Sequence, residues 1–146
     1  MAGYSLKIKN NADVIEISTK DLIDKEPITN VTFKMNTLDD LSRNRADAVR
    51  AELVIEGNIS EGYKEEIRKL AKWSLDSNKT TQYRNVELIV NDGQDMSGKV
   101  LRRYTIDQMF VIDYEEEFEK GDSESGTYKL FIAQKQGNYK KEVFCS

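Results

Sequence analysis

The stretch Ser60–Leu75, SEGYKEEIRKLAKWSL, carries the one convincing helical period in a chain whose other patterned segments alternate at period two. At about 100° per residue, Tyr63, Ile67, Leu70, Ala71 and Ser74 fall on one stripe, with Glu65, Arg68, Lys69 and Lys72 opposite. One face is therefore built for burial. Ser60 is suited to N-cap this helix, with Glu61 beside it favoured by the helix dipole, and Asp76-Ser77-Asn78 is suited to end it. Glu65 and Lys69 are spaced for an i,i+4 ion pair worth about 0.2–0.5 kcal/mol, too little to hold the helix without packing. A single amphipathic helix (60–75) between two blocks of strands predicts a sheet or barrel that the helix closes on one side.

On the N-terminal side, Tyr4-Ser5-Leu6-Lys7-Ile8 and Val14-Ile15-Glu16-Ile17 read as an opening hairpin turned at Asn10-Asn11. After Pro27, the only proline, Val31, Phe33 and Met35 alternate against Thr32, Lys34 and Asn36. Strand pattern resumes at Val49, with Ala51, Leu53 and Ile55 against Arg50, Glu52 and Glu56, until Gly57-Asn58 breaks it. Between these two strands, Thr37–Asp47 (TLDDLSRNRAD) has charges of both signs and no period, which predicts a protruding loop.

Beyond the helix, Val86, Leu88 and Val90 alternate, and Asn91–Gly98 (NDGQDMSG) is a turn rather than a calcium loop, because it lacks the terminal bidentate Glu. Val100–Glu119 is too long for one ordinary strand and predicts two, divided by a bend or bulge at Asp107-Gln108. Gly121 and Gly126 bracket a further turn. Tyr128, Leu130 and Ile132 then alternate with Lys129 and Phe131, and a last strand runs Tyr139–Cys145. About nine strands with short connections give a mainly β fold, an antiparallel barrel or sandwich in one domain spanning 1–146.

The chain has no histidine, which removes Ser–His triads, His acid–base catalysis and the usual zinc ligation. Its one cysteine, Cys145, permits no internal disulfide; it either ends a strand as a small apolar residue or is an accessible thiol, and neither reading is catalytic. No phosphate-cradling glycine loop is present, and no cofactor or metal site is expected. Glu115 and Glu117 share a strand face roughly 6.6 Å apart, within reach of a glycosidase pair, which keeps a glycan hydrolase open as an alternative. A closed barrel holding a small apolar ligand is another. The N-terminus MAGYSLKIKN has no apolar signal core, and no span suits a membrane helix, so membrane insertion and a cleaved leader are not expected.

A net charge of −4, with 33% charged residues, gives no general basic footprint for nucleic acid. The charge is nonetheless segregated. Asp113–Glu124 holds seven carboxylates against Lys120, whereas Lys64–Arg84 is net basic. An acidic edge and a basic helix face suit head-to-tail association of copies, which closes into a ring when the rotation allows.

Ala51-Glu52-Leu53-Val54-Ile55-Glu56-Gly57 leading into the helix, followed by Arg103-Tyr104-Thr105-Ile106-Asp107-Gln108-Met109-Phe110-Val111, resembles the tail-tube proteins of contractile phages and phage-tail-like bacteriocins. More distantly, the chain is similar to the haemolysin-coregulated protein of type VI secretion. The resemblance runs from about Val31 to Cys145. It implies a β-barrel flanked by one helix, and hexameric rings stacked into a tube inside a sheath. Partners would be other copies of the chain, the sheath protein, and baseplate and tape-measure-like proteins. It further implies that Leu38, Asp39, Asp40, Leu41, Ser42, Arg43, Asn44 and Arg45 touch a neighbouring ring, in a protein made in the bacterial cytoplasm and assembled into a virion or an extracellular bacteriocin particle.

Overall fold

A computed structural model of the chain describes residues 3–11, 13–19, 26–37, 49–78, 81–93, 98–119, 126–134 and 143–145. Their strands are β1 (Gly3–Lys9), β2 (Val14–Ser18), β3 (Asn30–Thr37), β4 (Val49–Asn58), β5 (Arg84–Asn91), β6 (Val100–Phe118), β7 (Gly126–Gln134) and β8 (Val143–Cys145). The helix α1 is Lys64–Ser74, entered through a 3₁₀ turn at Glu61–Tyr63. All strand pairs are antiparallel, in the order β2-β1-β5-β6-β7-β4-β3, with β8 also on β6.

The long β6 organises this sheet. Its first half pairs with β5, Ile106 opposite Val86, and its second half pairs with β7, Tyr114 opposite Leu130. The two strands expected in 100–119 are thus one. The expected bulge is present at Asp107-Gln108, where the β5 register slips and Gln108 takes φ 59°, its amide donating to Asn85 Oδ1 at 3.2 Å. A bulge bends and twists a strand while leaving it in its ladder, so the backbone changes direction without the chain breaking into two elements.

The sheet curls back on itself around one core. Alternation puts Leu6, Ile8, Ile15, Ile17, Val86, Leu88 and Ile106 inside from one half, and Ala51, Leu53, Ile55, Leu130 and Ile132 inside from the other. β3 lies three places from β6 in the strand order, yet Phe33 stacks on Tyr104 with ring centroids 4.5 Å apart. Of the β3 face expected to be half buried, Val31 and Phe33 pack on the core and Met35 is exposed. Gly57 lies within β4 rather than ending it. A side chain there would collide with the Pro27 carbonyl, which itself accepts the Tyr128 hydroxyl. Thr29 N donates to Glu56 O at 2.7 Å and Asn58 N to Glu26 O at 3.1 Å, so the 26–29 segment continues the edge of the sheet.

Helix α1 packs on β2 and β6 through Ile67, Leu70 and Trp73. Trp73 was not on the expected stripe; Tyr63, Ala71 and Ser74 were, and they are only half-buried. Ser60 does not cap the helix with its side chain. It is buried, and its carbonyl accepts from Tyr63 N at 3.1 Å to form the 3₁₀ turn. Leu75 N and Asp76 N close the C-terminal end on Lys72 O and Trp73 O, and Asp76 accepts from Asn78 N, so the expected stop is where the helix ends.

Candidate functional site

The loop residues Leu38, Asp39, Asp40, Leu41, Ser42, Arg43, Asn44 and Arg45 lie outside the described residues. The strands on either side pair with each other, Thr37 opposite Val49. Of the last expected strand, residues 139–142 are also outside the described residues, and β8 places Cys145 opposite Tyr104.

Among the described residues of the basic segment 64–84, Arg68, Lys69 and Arg84 find partners within the fold, and Lys64 and Lys72 remain exposed. The pair expected between Glu65 and Lys69 does not form: Glu65 binds Arg68 at 3.2 Å, and Lys69 reaches across to Asp13 at 3.3 Å. Arg84 is buried, its guanidinium carbon 5.3 Å from the centre of the Trp73 ring and Nη2 3.9 Å from Asp76. Its Nη1 has no hydrogen-bond partner among the described residues, so the ring face is the compensating neighbour. Burial lowers the pKa of this guanidinium, against the pull of Asp13 and Asp76. Burial by itself would raise the Asp13 pKa, but the Lys69 ammonium and the Val14 amide outweigh it, and the net shift is downward.

The described part of the acidic segment, 113–119, by contrast, carries its carboxylates outward. Asp113, Glu115, Glu116, Glu117 and Glu119 are all exposed on or just after β6. Glu115 and Glu117 share one face, opposite Lys129 and Thr127, and line an open cleft of about 290 Å³ with Glu56 and Tyr128. Lys129 is engaged with Glu56 at 3.7 Å. A glycosidase acid needs an apolar enclosure to hold its proton, and both carboxylates stand in the open. On the other face, Tyr114 stacks on Tyr128 and donates to Glu116 at 2.8 Å; burial first, then Glu116, raises its phenol pKa. The interior that a ligand-holding barrel would need is filled by core side chains.

A second charged feature lies outside the segments that summed charge points to. Lys99, Arg102 and Arg103 are exposed at the opposite end of β6, beside exposed Val100 and Leu101. The signal was available as three cations in the five residues KVLRR. Among the described residues no group of three His, Cys, Asp or Glu is placed to hold a metal, and no helix is long and apolar enough to cross a membrane.

Solved structures share this arrangement of strands and helix. One is the sheath/tube terminator of an extracellular contractile injection system (PVC) in its extended state, at TM-score 0.57 and 8% identity, covering 98% of this chain and 92% of that one. The fold is that of the injection-system tube proteins. The cap terminating the anti-feeding prophage tube matches the same tube fold at TM-score 0.54 and 7% identity, over 97% of this chain and 87% of that one. Hcp1 from Salmonella typhimurium matches at TM-score 0.53 and 10% identity, over 89% and 81%. No family model matches the chain, and no curated protein does. The resemblance read from 51–57 and 103–111 therefore holds at the level of the tube fold.

Proposed function

We propose that this chain is a noncatalytic structural subunit of the inner tube of a contractile injection particle, a single domain that assembles with its own copies into hexameric rings stacked within a sheath. The observation that carries this reading is the tube fold itself, matched over nearly the whole chain to proteins that cap or terminate such tubes. The outward segregation of charge on β6 supports association of copies over chemistry. The sheath protein, a baseplate and a tape-measure-like protein are the further partners, and the finished subunit resides in a phage tail or bacteriocin particle. In this reading Leu38–Arg45 bridge successive rings, with Asp39 and Asp40 of one ring opposite Arg43 and Arg45 of the next.

Sedimentation over a hundredfold concentration range, with negative-stain imaging, tests the reading. Growth from a small species to rings or tubes, most readily on the particle's baseplate, is the expected result. A single small species throughout, baseplate included, overturns it. Shortening Asp39–Asn44 to Asn-Gly should leave the circular dichroism spectrum intact and abolish stacking, because each loop contact is repeated around the ring. Normal tubes from that variant would remove the loop from the mechanism.

A further inference from the structure

Strand β6 is longer than the described strands beside it cover. At Met109 it pairs with Arg84 of β5 on one edge and Gln134 of β7 on the other, so β5 and β7 lie on opposite sides. The β5 ladder ends there. From Phe110 to Phe118 the β5-side edge carries no ladder among the described residues. On the other side β8 covers only Tyr104–Ile106, which leaves the edge at Val100–Arg103 similarly unpaired. The two open half-edges sit at opposite ends and on opposite sides of one strand.

Both carry apolar side chains that a monomer leaves in water: Ile112 is 48% and Phe118 67% exposed on the long half-edge, and Leu101 is 59% exposed on the short one. Unpaired strand edges of this kind invite another chain. Their charges decide which chain. The long half-edge is lined by carboxylates with no ion-pair partner among the described residues, so two copies of it repel, and like charges brought opposite each other disfavour a two-fold dimer. The short half-edge presents Lys99, Arg102 and Arg103, also without ion-pair partners among the described residues. Helix α1 is the weaker competitor, since Arg68 and Lys69 are already committed to Glu65 and Asp13.

We infer that the two half-edges of β6 meet between copies: the acidic Phe110–Phe118 edge of one subunit receives the basic Lys99–Arg103 start of β6 from the next. Such a contact joins unlike surfaces, so it propagates head to tail and yields a ring or filament rather than a closed dimer. The inference rests on the tube reading and names the surfaces that hold its subunits together.

Charge reversal tests it. Glu115→Lys with Glu117→Lys, and separately Arg102→Glu with Arg103→Glu, should each raise the concentration at which assemblies appear by about tenfold or more, with circular dichroism unchanged. An equimolar mixture of the two variants should assemble again, because each then offers the edge that the other lacks, and an even-membered ring accommodates the alternation. Lys64→Glu with Lys72→Glu on α1 should assemble as the unaltered chain does. Assembly of both β6 variants at the unaltered concentration overturns the inference while the tube reading stands, as does failure of the mixture. Loss of assembly in the α1 variant alone moves the acidic edge's partner to the helix and also overturns it. Failure of the unaltered chain to assemble on a baseplate removes the tube reading and this contact together.

Discussion

Along β6, two regions of one strand are made differently. Around Ile106 the strand has neighbours on both edges and a side chain sealed in the core, whereas from Phe110 onward it has, among the described residues, β7 on one edge only and carboxylates at most outward positions. The bulge at Gln108 is the hinge between these regimes. The first is specified by apolar alternation, which contributes about 25 cal/mol per Å² buried, and its failure is unfolding. The second is specified by charge, which contributes little to an exposed monomer, and through the contact inferred above its failure is loss of association. Substitutions that unfold the chain should therefore cluster inside, and those that block assembly outside.

The strongest way to break that division lies under the helix. Ile67→Asp places an unpaired carboxylate between α1 and the sheet, where Ile67 is almost fully buried, and should cost about 3 kcal/mol or more. Lys72→Asp, on the exposed face of the same helix, should cost little. Urea unfolding of the two variants measures the difference; equal midpoints would mean the interior does not end where the structure puts it.

Next in size is Gly57→Ala. The added methyl would meet the Pro27 carbonyl and come within 2.9 Å of the Tyr128 ring, forcing the 26–29 segment off β4. Overpacking of this kind costs about 1–3 kcal/mol. A thermal midpoint unchanged from the unaltered chain would show that this edge yields freely.

A smaller effect is expected from Tyr128→Phe, which removes the hydroxyl that donates to Pro27 O and leaves that carbonyl short of a donor, at about 1–2 kcal/mol. Burial raises the Tyr128 phenol pKa above its ordinary 10.0, so the folded state favours the neutral form. The stability it contributes is complete below pH 10 and is lost as pH rises beyond, because the unfolded chain ionises first. The Phe variant should lose less stability than the parent in an alkaline titration, and parallel curves would contradict the assignment.

Much of the interior was legible in the sequence because it obeys the period-two rule: Leu6 and Ile8, Ala51 to Ile55, and Tyr128 to Ile132 all point inward as their spacing predicts. The helix was legible in existence and less so in phase. Ile67, Leu70 and Trp73 are buried at i, i+3 and i+6, so the buried face is rotated from the expected stripe toward the large Trp73, and Ala71 and Ser74 on the other flank stay half-buried. Length alone predicts two strands over 100–119 because it does not reveal that a bulge keeps a bent strand in its ladder. Summed charge over 64–84 also misled. Lys69 and Arg84 find partners in Asp13 and Asp76, and Asp13 lies fifty-six residues from Lys69, beyond any local rule.

That long-range pair gives the smallest effect, and the one that most directly sharpens the contrast between charges used inside the fold and charges left for a partner. Asp13 sits at the β1–β2 turn, accepting from Val14 N at 2.9 Å and from Lys69 Nζ at 3.3 Å, with its side chain 40% exposed. Solvent screens a pair so open, and Asp13→Asn should cost less than about 1 kcal/mol at neutral pH. The sign follows from its lowered pKa. A carboxylate held below its ordinary 3.8 contributes stability that is present above that value and lost as pH falls through the folded pKa, because protonation removes the charge that Lys69 engages. The gap between parent and Asn variant should therefore be constant near neutral pH and shrink as pH falls below 3.8. Glu117→Gln, on the open edge of β6, should leave the stability of the monomer at neutral pH unchanged and should instead weaken assembly. Chemical denaturation at several pH values reads the first comparison, and sedimentation the second. A loss of monomer stability in the Glu117 variant at neutral pH would show that its charge is engaged within the fold and is not free for a second copy.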